Sequence, residues 1–429
     1  MSTRRRAFSI VATAVTLTAF MGVIAGPADA EPHAVVLGPG DNVQAALSAA
    51  VPGTTIKLKP GTYHQFLVMP DGVTLEGAGT GAVGGSVLAW PSSGANPCDY
   101  GFNMLVCMGN HDRVTDLRVD ITGARPAGFH VGIGTVASPT GTTVGNVVAV
   151  GNGQNQDDGI FLRGSDVTIR DTETSGFNEG ILVTAVGGQV EDNVGHGNCS
   201  GIAVFDFGLA GPFFGPLGQA SNVTVEGNRE QGPQPCPFYA GAGIVLVGAP
   251  HSTVRDNTLS GFDGAGISTD AAYDTIDGNI IRDTCLGVEA LTDPIPAPDG
   301  PADHDVLRGN EVRGNAAGGC YSLAGGTFVS GIRLDGTTNA TVAGNKVHVS
   351  LPSPSAAGPV DGILVDSTPP SFNPATPAPQ NVTVTGNEVR EGLSGSPGYD
   401  IGWDGTGSNI SFAKNVCNSS NPSGLCAGN

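Results

Sequence analysis

Three carboxylates near the middle of the chain are the first candidates for chemistry. Asp157 and Asp158 are adjacent, and Glu179 follows Asp158 by 21 residues. The same interval separates recurring Gly-aliphatic steps in the chain, so we expect Asp158 and Glu179 to stack on neighbouring coils, about 4.8 Å apart. Like-charge repulsion would then raise one of the two pKa values. Such a pair can divide the acid and base roles in glycoside hydrolysis.

Other candidates lie in register near these carboxylates. Arg163 and His196 complete the candidate catalytic set with the three acids. Phe205, Asp206 and Phe213 are candidate substrate-binding residues, because they border or lie in an insertion rich in Phe, Gly and Pro. Exposed aromatic rings there could stack on a sugar face, or they could seal the side of the fold.

A second acidic set lies towards the C-terminus. Asp335, Asp366 and Asp404 occupy equivalent outward places on successive repeats. An outward file of carboxylates can hold Ca²⁺, which is the one cofactor that this pattern suggests. The alternative is that they are solvated corner residues, with Glu289 and Arg333 forming a surface pair worth less than about 1 kcal/mol.

A repeat positions all of these residues. A glycine followed by an aliphatic residue recurs at intervals of 21, 21, 42, 23, 21, 44 and 31 residues, at Gly159, Gly180, Gly201, Gly243, Gly266, Gly287, Gly331 and Gly362. Between these steps runs a Val-x-x-Asn or Val-x-Val-x-Gly-Asn pattern, as at Val223–Asn228. Gly, Asn and Asp tolerate left-handed backbone and make tight corners between short strands.

These spacings predict an all-β fold, a single-stranded right-handed parallel β-helix of roughly ten to twelve coils. The aliphatic residue after each glycine should point inward, with the second and fourth residues outward. We expect the Asn residues to form a hydrogen-bonded ladder at one corner. A short capping helix over 43–50, with Asp41 as its N-cap, should cover the first coil.

The ends of the chain indicate its location. Residues 1–30 combine three arginines, an apolar run and an Ala-Asp-Ala cleavage site, which is the pattern of a secretory signal peptide for a Sec or twin-arginine route. No later apolar run approaches ~18 residues, so we expect no membrane span. Residues 31–429 are interpreted as one secreted β-helix domain, of undetermined oligomeric state.

Eight cysteines in a secreted chain are expected to pair. No Cys-x-x-Cys pair is present, which argues against a cysteine metal site. The expected disulfides are Cys98–Cys107, Cys199–Cys236, Cys285–Cys320 and Cys417–Cys426.

The net charge of the chain limits the classes of substrate that we expect. The chain carries a net charge of −20, and removal of residues 1–30 would leave 16 basic and 38 acidic residues, a net charge of −22. Such a protein does not attract nucleic acid, pectate or alginate electrostatically, so no nucleic-acid partner is expected. An anionic substrate would need Ca²⁺ or a local arginine cluster, and arginines such as Arg282 and Arg313 are spread along the chain. A neutral glycan fits better.

Residues 43–79, with their Pro-Gly-Thr turns and Leu-x-Gly-x-Gly ending, resemble the start of secreted right-handed parallel β-helix proteins of the pectin-lyase-like superfamily. The Gly-Ile and Gly-Asn coils resemble the repeats of that superfamily, including its nitrous-oxide-reductase-accessory-like branch. The resemblance covers essentially the whole mature chain and implies the fold. It is weakly specific for function, because the superfamily includes lyases, polygalacturonases, epimerases and phage tailspikes.

Three motifs resemble those of particular enzymes. Asn155-Gln156-Asp157-Asp158 is similar to the Asp-Asp motif of polygalacturonases, and Gly195-His196-Gly197 to their Gly-His-Gly, which implies acid/base carboxylates and a His near the sugar. The Asn-Thr-Asp and Arg-Ile-Lys motifs of that family are missing. Asp303-His304-Asp305 is similar to the Asp-Pro-His-Asp of alginate epimerases without its Pro, and Arg333 resembles by position the arginine base of the lyases.

The residues together favour a secreted carbohydrate-active enzyme, a hydrolase or lyase acting on an extracellular polysaccharide. The alternative is a non-catalytic β-helix that binds surface glycans or has a structural role. The identity of the glycan and the type of reaction stay open at this point.

Overall fold

The computed structural model describes residues 33–98, 102–123, 128–153, 157–206, 219–232, 241–292, 302–314, 329–349, 360–367, 377–391 and 398–427. These residues form one helix and a succession of short strands, and every strand pairing among them is parallel. The predicted right-handed parallel β-helix is confirmed.

The N-terminal elements are β1 (Ala34–Leu37), α1 (Val43–Ala49), β2 (Thr55–Leu58), β3 (Gly61–Tyr63), β4 (Leu67–Val68), β5 (Thr74–Glu76), β6 (Ser86–Ala89), β7 (Asn103–Met108), β8 (Arg113–Asp120), β9 (His130–Thr135) and β10 (Thr143–Val150). The middle coils contain β11 (Asp157–Arg170), β12 (Glu173–Ser175), β13 (Glu179–Glu191), β14 (Val194–His196), β15 (Ser200–Phe205), β16 (Ser221–Glu226), β17 (Arg229–Gln231), β18 (Ile244–Val247), β19 (Thr253–Arg255), β20 (Thr258–Ser260), β21 (Ala265–Thr269), β22 (Thr275–Asp277) and β23 (Ile280–Arg282). The C-terminal coils contain β24 (Leu286–Leu291), β25 (Val306–Arg308), β26 (Glu311–Arg313), β27 (Val329–Asp335), β28 (Thr341–Ala343), β29 (Lys346–Val349), β30 (Val360–Asp366), β31 (Thr383–Thr385), β32 (Glu388–Glu391), β33 (Ile401–Trp403), β34 (Ser411–Ala413) and β35 (Ser420–Asn421).

Each complete coil contributes to three faces of the helix. The first face contains the Gly-aliphatic strands, namely β7, β9, the starts of β11 and β13, then β15, β18, β21, β24, β27, β30 and β33. The second face contains the ends of β11 and β13, then β16, β19, β22, β25, β28, β31 and β34. The third face contains β12, β14, β17, β20, β23, β26, β29 and β32.

The core is a set of aliphatic columns along the helix axis. Ile160, Ile181, Ile202 and Ile244 stand in register on adjacent strands, and all four are fully buried. Removal of this much apolar surface from water is the main stabilising contribution to the fold. The prediction that the residue after each glycine points inward is therefore confirmed.

A buried asparagine ladder runs along the corner between the second and third faces. Each Nδ2 donates to the Oδ1 of the next Asn at 2.9–3.0 Å, through Asn193, Asn228, Asn257, Asn279, Asn310, Asn345, Asn387 and Asn415. Each of these amides also serves backbone groups; Asn279 Nδ2, for instance, donates to the carbonyl of Val254 at 2.9 Å. Buried polar groups need such partners, and the predicted ladder is confirmed.

The N-terminal helix differs from the prediction in its N-cap residue. Its N-cap is Asn42, whose Oδ1 accepts the N–H of Ala45 at 2.9 Å. Asp41, the predicted cap, instead accepts the N–H of Gly38 at 2.6 Å, because it sits one residue too early in the turn. The helix buries Val43 and Leu47 at the end of the core, as expected of a cap.

Two of the expected disulfides are present. Cys98 pairs with Cys107 and Cys417 with Cys426, at Cα separations of 6.0 and 5.3 Å. Cys285 is also disulfide-bonded. Because Cys236 and Cys320 lie outside the described residues, the pairings Cys199–Cys236 and Cys285–Cys320 stay predictions, as does the signal peptide over 1–30. Within the described part of the chain, no helix is long and apolar enough to cross a membrane.

Candidate active site on the first face

Both predicted acidic sets lie on the outer surface of the first face, on different coils. The outward second position after the glycine holds Phe161, Leu182 and Ala203, which pack into a hydrophobic cluster separate from the core. The predicted alternation of inward and outward side chains is therefore confirmed. Outward polar groups on this face are surrounded by packed side chains, and burial perturbs their pKa values.

The carboxylates of Asp158 and Glu179 form the predicted pair. The two residues are direct register partners on β11 and β13, on adjacent coils. Asp158 is 1% exposed, and burial together with the charge of Glu179 raises its pKa well above the usual value. Asn178 Nδ2 donates to Glu179 Oε2 at 2.8 Å. Burial therefore favours the protonated form of Asp158.

Asp157 has a partner that the sequence did not suggest. His130 Nδ1 lies 3.0 Å from Asp157 Oδ1, and both side chains are almost fully buried. The indole of Trp90 meets the His130 ring edge-to-face, with centroids 5.0 Å apart. No motif marks His130; the available signal was its place one coil before Asp157, at the start of the strand.

Arg163 lies further along β11 and does not bind the acidic pair. Its Nη2 donates to the carbonyl of Thr135 at 3.0 Å, and its guanidinium carbon is 5.3 Å from the centroid of the Phe161 ring. Burial lowers the pKa of Arg163. Phe161 stands between Arg163 and Asp158 on the strand, so Arg163 packs beside the pair instead of pairing with it.

His196 is not brought to the predicted site. It lies on β14 of the third face, half-exposed, with Nε2 3.6 Å from Glu173 Oε1. The buried corner at Asn193 turns the chain from the second face to the third just before this strand. The inclusion of His196 beside Asp158 and Glu179 was therefore wrong, because sequence proximity to Glu179 does not place the two residues on one face.

The predicted substrate-binding residues are only partly described. Phe205 is half-buried at the end of β15 and packs against the outer hydrophobic cluster. Asp206 follows it and lines a cavity of about 390 Å³ with Gln219, His251 and Tyr273. Phe213 lies outside the described residues.

The second acidic set is centred on a guanidinium group. Arg333 Nη2 donates to Asp335 Oδ2 at 3.0 Å and to Asp366 Oδ2 at 3.1 Å, and Nη1 lies 3.3 Å from Glu289 Oε1. Burial raises the pKa of Asp335 to about 8 and also raises that of Glu289. Burial opposes the charge on Arg333, but Asp366 and Glu289 outweigh it and raise the Arg333 pKa.

These contacts overturn two expectations. The cation between Asp335 and Asp366 is the Arg333 side chain itself, and among the described residues no group of three His, Cys, Asp or Glu side chains could hold a metal ion. Asp404 instead binds the hydroxyls of Ser367 and Thr406. The predicted Ca²⁺ file is therefore wrong. The charges of Asp366 and Glu289 raise the pKa of Arg333, which disfavours its predicted role as the base of a lyase.

The epimerase-like motif is part of a corner. Asp305 is fully buried, and its Oδ1 accepts the N–H of Asp274 at 2.9 Å. The exposed His304 ring stacks on Tyr273 at 4.8 Å and bonds Asp303 at 2.9 Å. These contacts hold adjacent coils together, and neither Asp303 nor Asp305 points into the first-face site.

Comparisons with known proteins inform the fold. No protein-family model matches the chain, and no curated protein matches it. Among solved structures, the Dettilon tailspike protein gives a TM-score of 0.59 at 14% identity, covering 90% of this chain and 68% of its own. DFA-IIIase from Arthrobacter chlorophenolicus A6, solved without its lid, gives 0.53 at 11% identity, covering 86% and 87%. The chain therefore has a pectate-lyase-like β-helix fold, and identities this low carry no activity across.

Proposed function

We propose that this protein is an extracellular carbohydrate-active enzyme that hydrolyses a glycosidic bond, with Asp158 and Glu179 as its two carboxylates. The observation that carries the proposal is that Asp158 and Glu179 are direct register partners on the first face, with Asp158 buried and its pKa raised well above the usual value. Burial favours the protonated form of Asp158, as a general acid requires, and the proposal gives the second carboxylate role to Glu179.

In the proposed reaction Asp158 donates its proton to the oxygen of the leaving sugar. Glu179 attacks the anomeric carbon, and water later releases the sugar while Asp158 takes a proton back. Inverting enzymes separate their carboxyl groups by roughly 6.5–9.5 Å to admit a water, whereas retaining enzymes hold them roughly 5–5.5 Å apart. Because Asp158 and Glu179 are register partners on adjacent coils, roughly 4.8 Å apart, their spacing favours retention of configuration.

The His130–Asp157 pair supports this arrangement from behind. Asp157 precedes Asp158 on β11, and its hydrogen bond to the buried His130 restrains the backbone that carries the proposed acid. The charge of Asp157 also contributes to the raised pKa of Asp158. His130 and Asp157 are therefore proposed as positioning residues.

Three further observations support the enzymatic reading. The same fold serves as an enzyme scaffold in DFA-IIIase. Two disulfides among the described residues suit an oxidising, extracellular location, in agreement with the expected signal peptide. A net charge of −20 favours a neutral glycan at an acidic site.

The test is a reducing-end assay of the purified protein over neutral glycans, with the anomer of the first product followed by ¹H NMR. Asp158→Asn and Glu179→Gln should each lower kcat by at least about 10²–10⁴-fold, and the wild-type product should retain its configuration. Glu191→Gln is the matched control, because Glu191 ends the same strand on the second face. Wild-type turnover in Asp158→Asn would remove this pair from the mechanism.

The Arg333 cluster is a second candidate centre for the same reaction. Asp335, with a pKa of about 8, would be the protonated acid, and Asp366 would be the anion held by Arg333. It lies on β27, several coils from β11, so the two centres are separable. Loss of hydrolysis in Asp335→Asn together with full activity in Asp158→Asn would assign the chemistry to this cluster.

A further inference from the structure

The third face carries a column of basic residues that the sequence alone does not reveal. Four residues on successive strands are direct register partners, and we name them the basic column: Arg282, Arg313, His348 and Arg390. All four side chains are exposed, while the residues before them on each strand are buried in the core. Adjacent coils therefore present one basic group about every 4.8 Å along the helix axis.

On the second face, arginines form ion pairs with carboxylates on neighbouring coils. There Arg255 pairs with Glu226 on the neighbouring coil, and Arg308 pairs with Asp277 at 2.8 Å. Acidic and basic residues thus alternate along that face, Glu226, Arg255, Asp277 and Arg308 being consecutive register partners. The charges of that column cancel within the protein.

Among the described residues, no ion pair joins the basic column to a carboxylate on a neighbouring coil. Two arginines of the basic column pair with a carboxylate on their own strand, Arg313 with Glu311 at 2.6 Å and Arg390 with Glu388 at 2.7 Å. Lys346 stands between Glu311 and Glu388 in the next column. Arg282 and Arg313 are directly opposed, and like charges in such positions destabilise a sheet, so an anion that bridges their two coils would relieve this repulsion.

The surface is also concave. A cavity of about 330 Å³ is lined by residues of β26, β29 and β32, including Arg313, Lys346, His348 and Arg390 together with the carboxylates of Glu311 and Glu388. The side chains that line it belong to three consecutive coils, so a ligand that contacts all three coils lies along the helix axis. Because exposed ion pairs of this kind are worth less than about 1 kcal/mol, Arg313 and Arg390 can exchange their Glu partners for ligand carboxylates at little cost.

We propose that the basic column is a docking surface for an extended acidic polysaccharide whose sugar carboxylates bridge neighbouring coils. Guanidinium groups bind carboxylates in a planar, bidentate manner, and the column offers them at intervals similar to the length of one sugar unit. A single-stranded nucleic acid would need aromatic side chains for its bases. Among the described outward positions of β20, β23, β26, β29 and β32, none is Phe, Tyr or Trp.

This inference revises the expectation that the arginines are too dispersed to bind an anionic chain. Arg282 and Arg313 are 31 residues apart in the sequence and direct neighbours in space. The surface is separate from Asp158 and Glu179, which face outward from the first face. The docking proposal does not depend on the proposed hydrolysis. A negative result in the docking experiment would therefore leave the hydrolysis proposal unaffected.

The experiment measures binding of a fluorescent decagalacturonate to the full protein at 50 and 300 mM NaCl. The double variant Arg313→Gln/Arg390→Gln should bind at least about tenfold more weakly, and wild-type affinity should fall at high salt. Arg255→Gln/Arg308→Gln is the matched control, because it also removes two exposed arginines that are each paired with a carboxylate, and it should change Kd less than twofold.

Three results would overturn the proposal. One is the absence of decagalacturonate binding by the wild-type protein. Another is an equal loss of affinity in the two double variants, which would indicate a response to net charge alone. The third is tighter binding of a ten-nucleotide oligodeoxythymidylate than of decagalacturonate, which would assign the column to nucleic acid. Circular dichroism of both variants establishes that they are folded.

Discussion

Individual carboxylates in this protein differ sharply in their surroundings, and Glu230 is the extreme case. It points into the core from β17, is 1% exposed, and lies where Gly195 and Gly201 leave space for its side chain. Neither carboxylate oxygen has a hydrogen-bond partner among the described residues. Burial therefore raises the pKa of Glu230 well above its usual value, and the folded protein holds it as the neutral acid.

Glu230 should make stability depend on pH. Because its pKa is raised in the folded state, the unfolded state loses the proton first, and the free energy of unfolding should fall as pH rises above roughly 4.3. Glu230→Gln should remove this slope and leave the protein about 1–3 kcal/mol more stable than wild type at pH 8. Urea unfolding at pH 5 and pH 8 measures both effects, with Glu191→Gln as the control. An unchanged slope in Glu230→Gln would contradict the assignment.

Arg333 should be far more important for stability than the exposed arginines. Arg333→Gln leaves Glu289, Asp335 and Asp366 buried together without their cation, which should cost about 3–5 kcal/mol at pH 8. The cost should shrink at pH 5, because the Asp335 carboxyl, with a pKa of about 8, is protonated there. Arg308→Gln, which removes an exposed pair, should cost less than about 1 kcal/mol. Equal losses in thermal unfolding of the two variants would show that the Arg333 cluster is not the buried network described above.

At the scale of the element, the asparagine ladder is the structural counterpart of the sequence repeat. Each ladder amide satisfies both a neighbouring amide and the backbone of the coil it caps. Asn279→Ala should cost about 2–4 kcal/mol, because it leaves the buried N–H and Nδ2 groups of Asn257 without their acceptor.

An exposed corner provides the control for the ladder. Asn381 Nδ2 donates to Asn339 Oδ1 at 2.9 Å on the protein surface, and its φ of 53° is one that glycine adopts readily. Asn381→Gly should therefore cost less than about 1 kcal/mol in the same urea experiment. A cost for Asn279→Ala no larger than this would mean that the ladder is not a major source of stability.

The repeat made some features of the structure predictable and left others out of reach. The 21-residue interval predicted the contact between Asp158 and Glu179, since no insertion separates their strands. Arg333 contacts Glu289 and Asp366 across 44 and 33 residues, and intervals that include insertions do not reveal which side chains meet. His196 was misplaced for a related reason: an outward residue can belong to any of three faces, and only the corner at Asn193 decides which.

At the scale of the whole molecule, each face of the solenoid is a different surface built from one repeat. The first face carries buried acidic centres, the second carries charges that cancel, and the third carries the basic column. The sequence repeat predicted the fold because every coil obeys it. The charge columns of the second and third faces were not predictable, since they arise from residues that deviate from the repeat and become neighbours only through strand register.

Asp158 and Glu179 are proposed as the two catalytic carboxylates of a glycoside hydrolase. The most direct measurement is kcat for glycan hydrolysis in Asp158→Asn and Asp335→Asn, assayed side by side as reducing ends released from a neutral glycan. We expect kcat to fall at least about 10²-fold in Asp158→Asn and to stay within a few-fold of wild type in Asp335→Asn. Normal hydrolysis by Asp158→Asn, or no hydrolysis by the wild-type protein on any glycan, would contradict it.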